Sequence, residues 1–336
     1  MIRLRTEPED FRVEEEPLYP PSGEGTHTFV RVEKRLRTTE AVARELARCA
    51  EVPARDVGYA GRKDRAAVTT QWFSVPGLDP EAAIDLSLTG ARVLEAVRHP
   101  HKLRTGQLRG NRFVLRLRDG TPADWARGEA NLQALLVEGL PNRFGAQRFG
   151  RDSDNAERAR RYCAGELRVR DRREARFLVS AWQSEVFNAV LAARPGPLGL
   201  LEVGDLAMRH DSGAAFLVED AAREQPRADR FEISPTGPIF GPRMTWPGGA
   251  VLERERALLR DQGLDPDALA LPGVRARGAR RAPRVQPEGL TLQVQSDSEA
   301  ELSFGLPAGS YATVLVESLF GPTEDASAHD RPRPRA

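Results

Sequence analysis

A glycine-rich turn that runs straight into a β-branched strand is the feature that most constrains this chain. Asp56 to Ala60 reads as a short strand, Gly61 to Asp64 as a turn, and Val68 to Val75 as a second strand rich in valine, threonine and aromatic residues. The turn sets one carboxylate, Asp64, among three cations, Arg62, Lys63 and Arg65. Clustered cations favour the charged form of a carboxylate, and an oriented carboxylate is what covalent or general-base chemistry uses. A solvated turn could carry the same residues, and its surface ion pairs would contribute little.

The rest of the chain reads as alternating α and β elements. Residues 1 to about 36 are extended, with turns at Pro20-Pro21 and Gly23 to Gly25. Thr38 or Thr39 caps a helix through Ala50, with Ala41, Val42, Leu46 and Ala47 on one stripe. A short helix over 80–87, strands at Val93–Val97 and Arg112–Leu117, and helices from Pro122 to about Leu135 and over 154–164 follow. Residues 172–194 form one long amphipathic helix whose apolar set includes Phe177, Leu178, Ala181, Val186, Phe187, Val190 and Leu191. Ser234 to Pro238 reads as a turn cluster, 250–261 as a helix, and Gly273 to Gly289, with Arg275, Arg277, Arg280, Arg281 and Arg284, as a linker or hinge. Strands at Leu290–Val294 and Ala300–Phe304 and a helix at Ala312–Leu319 close the pattern. The expected fold is therefore a mixed α/β sheet domain, begun at the N-terminus and completed after 285, with a smaller α/β domain inserted. The boundaries are 1–164 plus 285–325 for the first, 165–284 for the second, and 326–336 for a disordered tail.

At 336 residues, two domains are expected. No segment is long and apolar enough for a membrane helix, and the start lacks the apolar core of a secretory signal. Cys49 and Cys163 are far apart, which favours a reducing, cytoplasmic setting over a disulfide framework. The pair His99 and His101 has no further ligand at metal-site spacing, so no metal is expected. Neither the dinucleotide fingerprint nor a phosphate-binding loop is present, so no cofactor is expected either. A net charge of +1 excludes a globally basic RNA binder. Lysine occurs only at 34, 63 and 102 among 50 basic residues, so Lys63 and Lys102 stand out where arginine would be the easy substitute.

The turn resembles the signature of the TruD family of pseudouridine synthases through Gly61, Lys63, Asp64, Ala67, Thr69 and Gln71. Other blocks resemble the same family in the same order: Pro8 to Glu15, Gly23 to His27, Lys102-Leu103 with Gly106 and Gly110 to Phe113, Pro141 to Gly150, and Leu306 to Thr313. The resemblance implies a cofactor-independent enzyme that isomerises uridine 13 in the D-arm of tRNA, with an RNA-binding cleft between catalytic and insertion domains. It implies Asp64 as the catalytic carboxylate, either as nucleophile at carbon or as base toward the sugar. Arg5 stands where the family commonly has lysine and, with Lys63, is a candidate partner for Asp64. Lys63 adjoins Asp64 and would point the other way on a strand, which leaves contact with an RNA phosphate open to it.

An everted uridine needs aromatic faces and an amide edge. The resemblance assigns substrate contacts to Phe11, Asn142 and Tyr311, the last usually phenylalanine, and sets Phe144 near the target base. Lys102, Arg143, Arg148, Arg151 and the arginines of 275–284 are candidates for phosphate contacts. The expected partner is tRNA, with no membrane or protein partner implied and a monomer expected. Two further readings are a non-catalytic RNA-binding or RNA-folding protein on the same scaffold, and an aspartyl-phosphate enzyme. The last lacks the second carboxylate two residues on, where Ala66 stands.

Overall fold

The protein is described by a computed structural model covering residues 1–149, 155–163, 165–263 and 276–327. Its contacts divide it into two compact units: residues 1–133, 287–312 and 316–336 form the first, and residues 134–286 with 313–315 form the second.

The elements of the first unit begin with β1 (Arg3–Leu4), β2 (Phe11–Pro17), β3 (His27–Arg35), α1 (Thr39–Cys49), β4 (Gly58–Tyr59), β5 (Val68–Pro76), α2 (Pro80–Ile84), β6 (Ala91–His99), β7 (Leu108–Leu117) and α3 (Pro122–Glu138). In the second unit come β8 (Leu140–Pro141), α4 (Asn155–Cys163), α5 (Arg172–Ala193), β9 (Leu206–Arg209), β10 (Ala215–Leu217), α6 (Ala221–Asp229), β11 (Ile233–Pro235), β12 (Gly237–Ile239), α7 (Gly249–Asp261), β13 (Ala279–Arg281) and β14 (Arg284–Val285). The chain then returns with β15 (Glu288–Val294), β16 (Ala300–Pro307), α8 (Ala312–Phe320) and β17 (Glu324–Asp325).

The first unit is built on an eight-stranded mixed sheet in the order β15-β16-β7-β2-β5-β3-β6, with β4 added on β5. The late strands do join the early ones, because β16 pairs antiparallel with β7 along its whole length. Within this sheet, among the described residues, only β2 and β5 run parallel, with Arg12 opposite Val68 and Glu14 opposite Thr70. A parallel pair brings the segments that enter both strands to the same end of the sheet. One face is covered by α1 and α2 through Val30, Val32, Val42, Leu46, Phe73 and Val75, all fully buried. Period-two alternation selects those positions in the strands, and the α1 stripe supplies the facing residues. Thr38 is the helix cap, its side chain accepting a hydrogen bond from the Ala41 amide. Thr39 is therefore released for another task.

The second unit has its own cores. Leu178, Trp182, Val186 and Val190 of α5 pack with Ala159, Phe240, Met244 and Leu259. Ala159 lies on α4, which therefore packs into this unit, and β8 is held in it by pairing with β14. Leu201, Ala207, Val218, Ala228 and Ile233 form a smaller cluster.

Several expectations are corrected. Ser234 to Pro238 is not a plain turn: β11 and β12 occupy it, and Pro235 pairs opposite Ala207 on the edge of a three-stranded sheet. An edge strand tolerates a residue without an amide hydrogen. The described part of 273–289 is not a linker either, since it holds β13 and β14. Arg280 is buried against Glu255, with both charge-assisted bonds at 2.8 Å. Arg284 is buried too, bonded to Ser234 and to the Ala228 and Glu138 carbonyls. Those two arginines are committed to the protein, not to phosphate. Phe177, expected on the buried stripe of α5, is 44% exposed. The disordered tail expected from 326 starts too early, because Ser327 is buried and donates through its amide and hydroxyl to Asp325; the tail from 328 onward, Arg151 and Arg275 lie outside the described residues.

Candidate active site

Asp64 lies in the loop that enters β5, and Arg5 in the segment that enters β2. The parallel β2/β5 pair therefore brings them to one end of the sheet. Arg5 Nη2 donates to Asp64 Oδ2 at 2.9 Å. The Arg5 side chain is 2% exposed and that of Asp64 is 41% exposed, so a solvent-facing carboxylate rests on a buried cation. The second arm of the guanidinium donates to Asp325. A parallel pairing of β1 with β17, Leu4 opposite Asp325, brings that carboxylate in from the other end of the chain. The Phe11 ring lies under the guanidinium, 3.8 Å from its carbon to the ring centroid. Arg5 itself has φ +56°, a left-handed backbone that few residues other than glycine adopt. Strain of this kind persists only where surrounding contacts hold it, and here two carboxylates and one ring do so.

The main chain of the loop is held as tightly. Lys34, on β3, is fully buried and donates to the Asp64 carbonyl at 2.9 Å and the Arg37 carbonyl at 2.7 Å. Burial pushes its ammonium down to about 8, with nearby Lys63 adding to the fall and Asp64 and Glu40 opposing it. The Lys63 amide donates to Thr39 Oγ1 at 3.0 Å, Thr39 donates to Gln71 Oε1 at 2.8 Å, and Gln71 Nε2 returns to the Gly61 carbonyl at 3.2 Å. This closed chain of bonds, with Thr39 and Gln71 both buried, is the physical reason a glutamine follows the turn.

Lys63 is not the partner of Asp64. Its ammonium pairs with Glu15, both side chains being nearly inaccessible, and Glu15 also accepts from the Trp72 amide at 3.2 Å. The neighbours in sequence thus point to different partners, and the Lys63 charge is spent on a buried acid, which also removes it as a free phosphate contact. Phe11 is 2% exposed, edge-on to Phe113, so it supports Arg5 and offers little face to a base. Tyr311 is half-buried at the N-cap of α8. Lys102 donates to the Arg55 carbonyl at 2.5 Å.

Asn142, Arg143, Phe144 and Arg148 belong to the second unit. Asn142 is buried, its amide donating to the Ala282 carbonyl at 3.0 Å and accepting from Arg281 at 2.5 Å. Phe144 packs edge-on to Phe187, with the Arg281 guanidinium 4.4 Å from its ring centroid, and its backbone is clamped at both ends by Asn188. Arg143 is half-buried. Arg148 is tied to Ser180 and Ser184 on α5.

Sequence reasoning missed Lys34, Glu15, Thr39 as a clamp, and Asp325. Lys34 did carry a signal: it shares the inward parity of Val30 and Val32 on β3 and is one of only three lysines. Asp325 carried none, since nothing local marks a two-residue strand. Among the described residues no three of His, Cys, Asp or Glu are grouped to hold a metal ion, and no helix is long and apolar enough to cross a membrane.

The chain is similar to known proteins along most of its length. The chain is 46% identical over 325 residues to tRNA pseudouridine synthase D of Anaeromyxobacter sp. (strain Fw109-5), covering 94% of this chain and 91% of that protein. It is 38% identical over 376 residues to the protein of the same name from Geobacter sulfurreducens, covering 93% and 92%. A solved TruD structure from Methanosarcina mazei superposes with a TM-score of 0.76 at 22% identity, covering 95% of this chain and 93% of that one, and so shares the fold. The family model for tRNA pseudouridine synthase D matches residues 1–158 and 157–319, and the chain belongs to that family, TruD.

Proposed function

We propose that this protein isomerises a uridine of tRNA to pseudouridine, at position 13 of the D-arm, with Asp64 as the catalytic carboxylate. The observation that carries the reading is the Asp64 carboxylate itself. It is solvent-facing and fixed through its side chain by buried Arg5 and through its carbonyl by buried Lys34. The loop that bears it carries the motif by which the chain resembles the family. Position 13 rests on that resemblance alone.

The reaction breaks the bond between the sugar C1′ and N1 of uracil and makes a bond from C1′ to C5. The hydrogen on C5 leaves as a proton and N1 gains one, so the balance needs no oxidant, reductant or nucleotide. The protein must therefore hold an anionic carboxylate oxygen at the sugar or the base and exclude competing geometries. A carboxylate whose main chain and side chain are both anchored meets that demand as nucleophile or as base. Arg5 supplies the cation that keeps it oriented, while Lys63 and Glu15 buttress the loop from beneath.

The test is release of tritium from tRNA labelled at uracil C5. Asp64→Asn is expected to abolish release while leaving tRNA binding and the melting temperature close to those of the parent. Residual turnover near the parental rate would remove Asp64 from the chemistry. A parent protein that binds tRNA but releases no label and yields no pseudouridine by mass spectrometry would favour a non-catalytic RNA-binding role.

A further inference from the structure

We propose that the first half of α5, together with Arg148, is a docking surface for an unpaired segment of the RNA substrate, with a base stacked on Phe177. The proposal rests on the tRNA reading above and adds a place of contact within the second unit. Residues 157–177 carry eight arginines and four acidic residues, a local net charge of +4 in a chain whose total is +1. Two of the eight are paired: Arg158 with Glu174, and Arg160 with Glu157 and Glu185. Arg161, Arg168, Arg170, Arg172, Arg173 and Arg176 are exposed and have no ion-pair partner among the described residues. Of these, Arg173 and Arg176 lie on α5 within one helical turn of Phe177, and neither guanidinium is matched by a carboxylate among the described residues.

Phe177 gives the patch its second component. On a helix, positions 173, 176, 177 and 180 share a face. Phe177 therefore stands between Arg173 and Arg176 on one side and Ser180 on the other. Arg148 is anchored to Ser180 and Ser184, and its guanidinium carbon lies 5.8 Å from the Phe177 ring centroid. The ring is therefore held in place by a fixed cation while 44% of the residue stays open to solvent. The cores of the unit do not use it, since its neighbour Leu178 fills the buried position.

An exposed aromatic ring framed by free arginines suits a polyanion that carries flat, apolar faces. Single-stranded or looped RNA is that ligand: its bases stack on aromatic side chains and its phosphates pair with arginine. An acidic protein segment would use the charge but leave the ring unexplained.

The experiment measures tRNA affinity across a salt series, and steady-state turnover, for the parent and for surface variants that leave the hydrophobic cores intact. Phe177→Ala and Phe177→Leu are each expected to raise Kd and KM about tenfold with kcat at saturation unchanged, whereas Phe177→Tyr retains parental affinity. Arg173→Gln combined with Arg176→Gln is expected to lower the slope of log K against log salt by about two. Parental Kd, KM and salt slope in all these variants would overturn the surface while leaving the proposed activity standing. A fall in kcat with KM unchanged would also overturn it, by assigning Phe177 a role in the chemistry. Failure of the parent to bind tRNA would remove both readings together.

Discussion

At the scale of single residues, the site is a matter of buried cations doing different work. Lys34 is the sharpest case. An ammonium in an apolar sheet is costly, and its two carbonyl partners, those of Asp64 and Arg37, are neutral. The charged groups that face it are Asp64, Lys63 and Glu40, and their effects partly cancel. Its value in the folded protein, about 8, lies below its ordinary 10.5. Between those values the unfolded chain holds more protons than the folded one, so stability from this residue rises as pH climbs through that window and is flat below it. Lys34→Met is expected to destabilise the protein by leaving two carbonyls without their donor. The gap between parent and variant should widen from pH 7 to pH 10 by up to about 3 kcal/mol. Unfolding free energies from denaturant titrations at both pH values check this, and a gap that does not change with pH would show that the ammonium is not held in the way described.

Between residue and fold stand the elements, where the turn before β5 depends on its neighbours as much as on its own sequence. Gly58 on β4 pairs with Ser74 on β5, and a Cβ at this glycine would come within 2.2 Å of the Leu103 carbonyl and 2.5 Å of the Ser74 hydroxyl. That hydroxyl is already taken by the Leu103 amide at 2.9 Å. The strand pair beside the Asp64 loop is thus roofed by residues 102–103, and Gly58→Ala should cost about 1–3 kcal/mol as overpacking. An unfolding midpoint equal to the parent's would contradict the close approach. The strands and helices with strong periodicity were legible from sequence: β5, α1 and α5 lie where the β-branched run or the 3.6-residue stripe puts them, and the core of β7 lies where alternation puts it. The misreadings at 234–238 and 273–289 share one physical origin. Composition treats proline and arginine as markers of turns and linkers, but Pro235 sits on an edge strand and Arg280 is neutralised by Glu255 from a distant helix. Phe177 was misplaced for the converse reason, because a helical period identifies an apolar residue but not whether a partner covers it.

Across the whole molecule, the site joins residues that are far apart in the chain, and this limits what local reading can find. Asp64 and Lys63 were visible because a motif surrounds them. Arg5 was visible only through its spacing from Phe11, and Asp325, 320 residues from Arg5, was not visible at all. The β1/β17 pairing makes that contact, so the beginning and the end of the described chain converge on one guanidinium. The fork geometry of arginine matters here, since two arms can serve two carboxylates in fixed directions while a lysine offers a single point charge. If Arg5 works by bridging, then Arg5→Lys and Asp325→Ala break the same device. Each alone should lower kcat, by up to about a hundredfold for a carboxylate misplaced by an ångström, with KM for tRNA little changed. Together they should cost well below the product of the single effects, because once the fork is gone its second anchor has nothing left to hold. Asp325→Ala also removes the carboxylate that accepts from the Ser327 amide and hydroxyl, so a melting curve is needed to separate fraying of that segment from loss of orientation. Losses in kcat that multiply fully in the double variant, at unchanged melting temperature, would mean that the two residues act separately and that the convergence of chain ends is structural rather than catalytic.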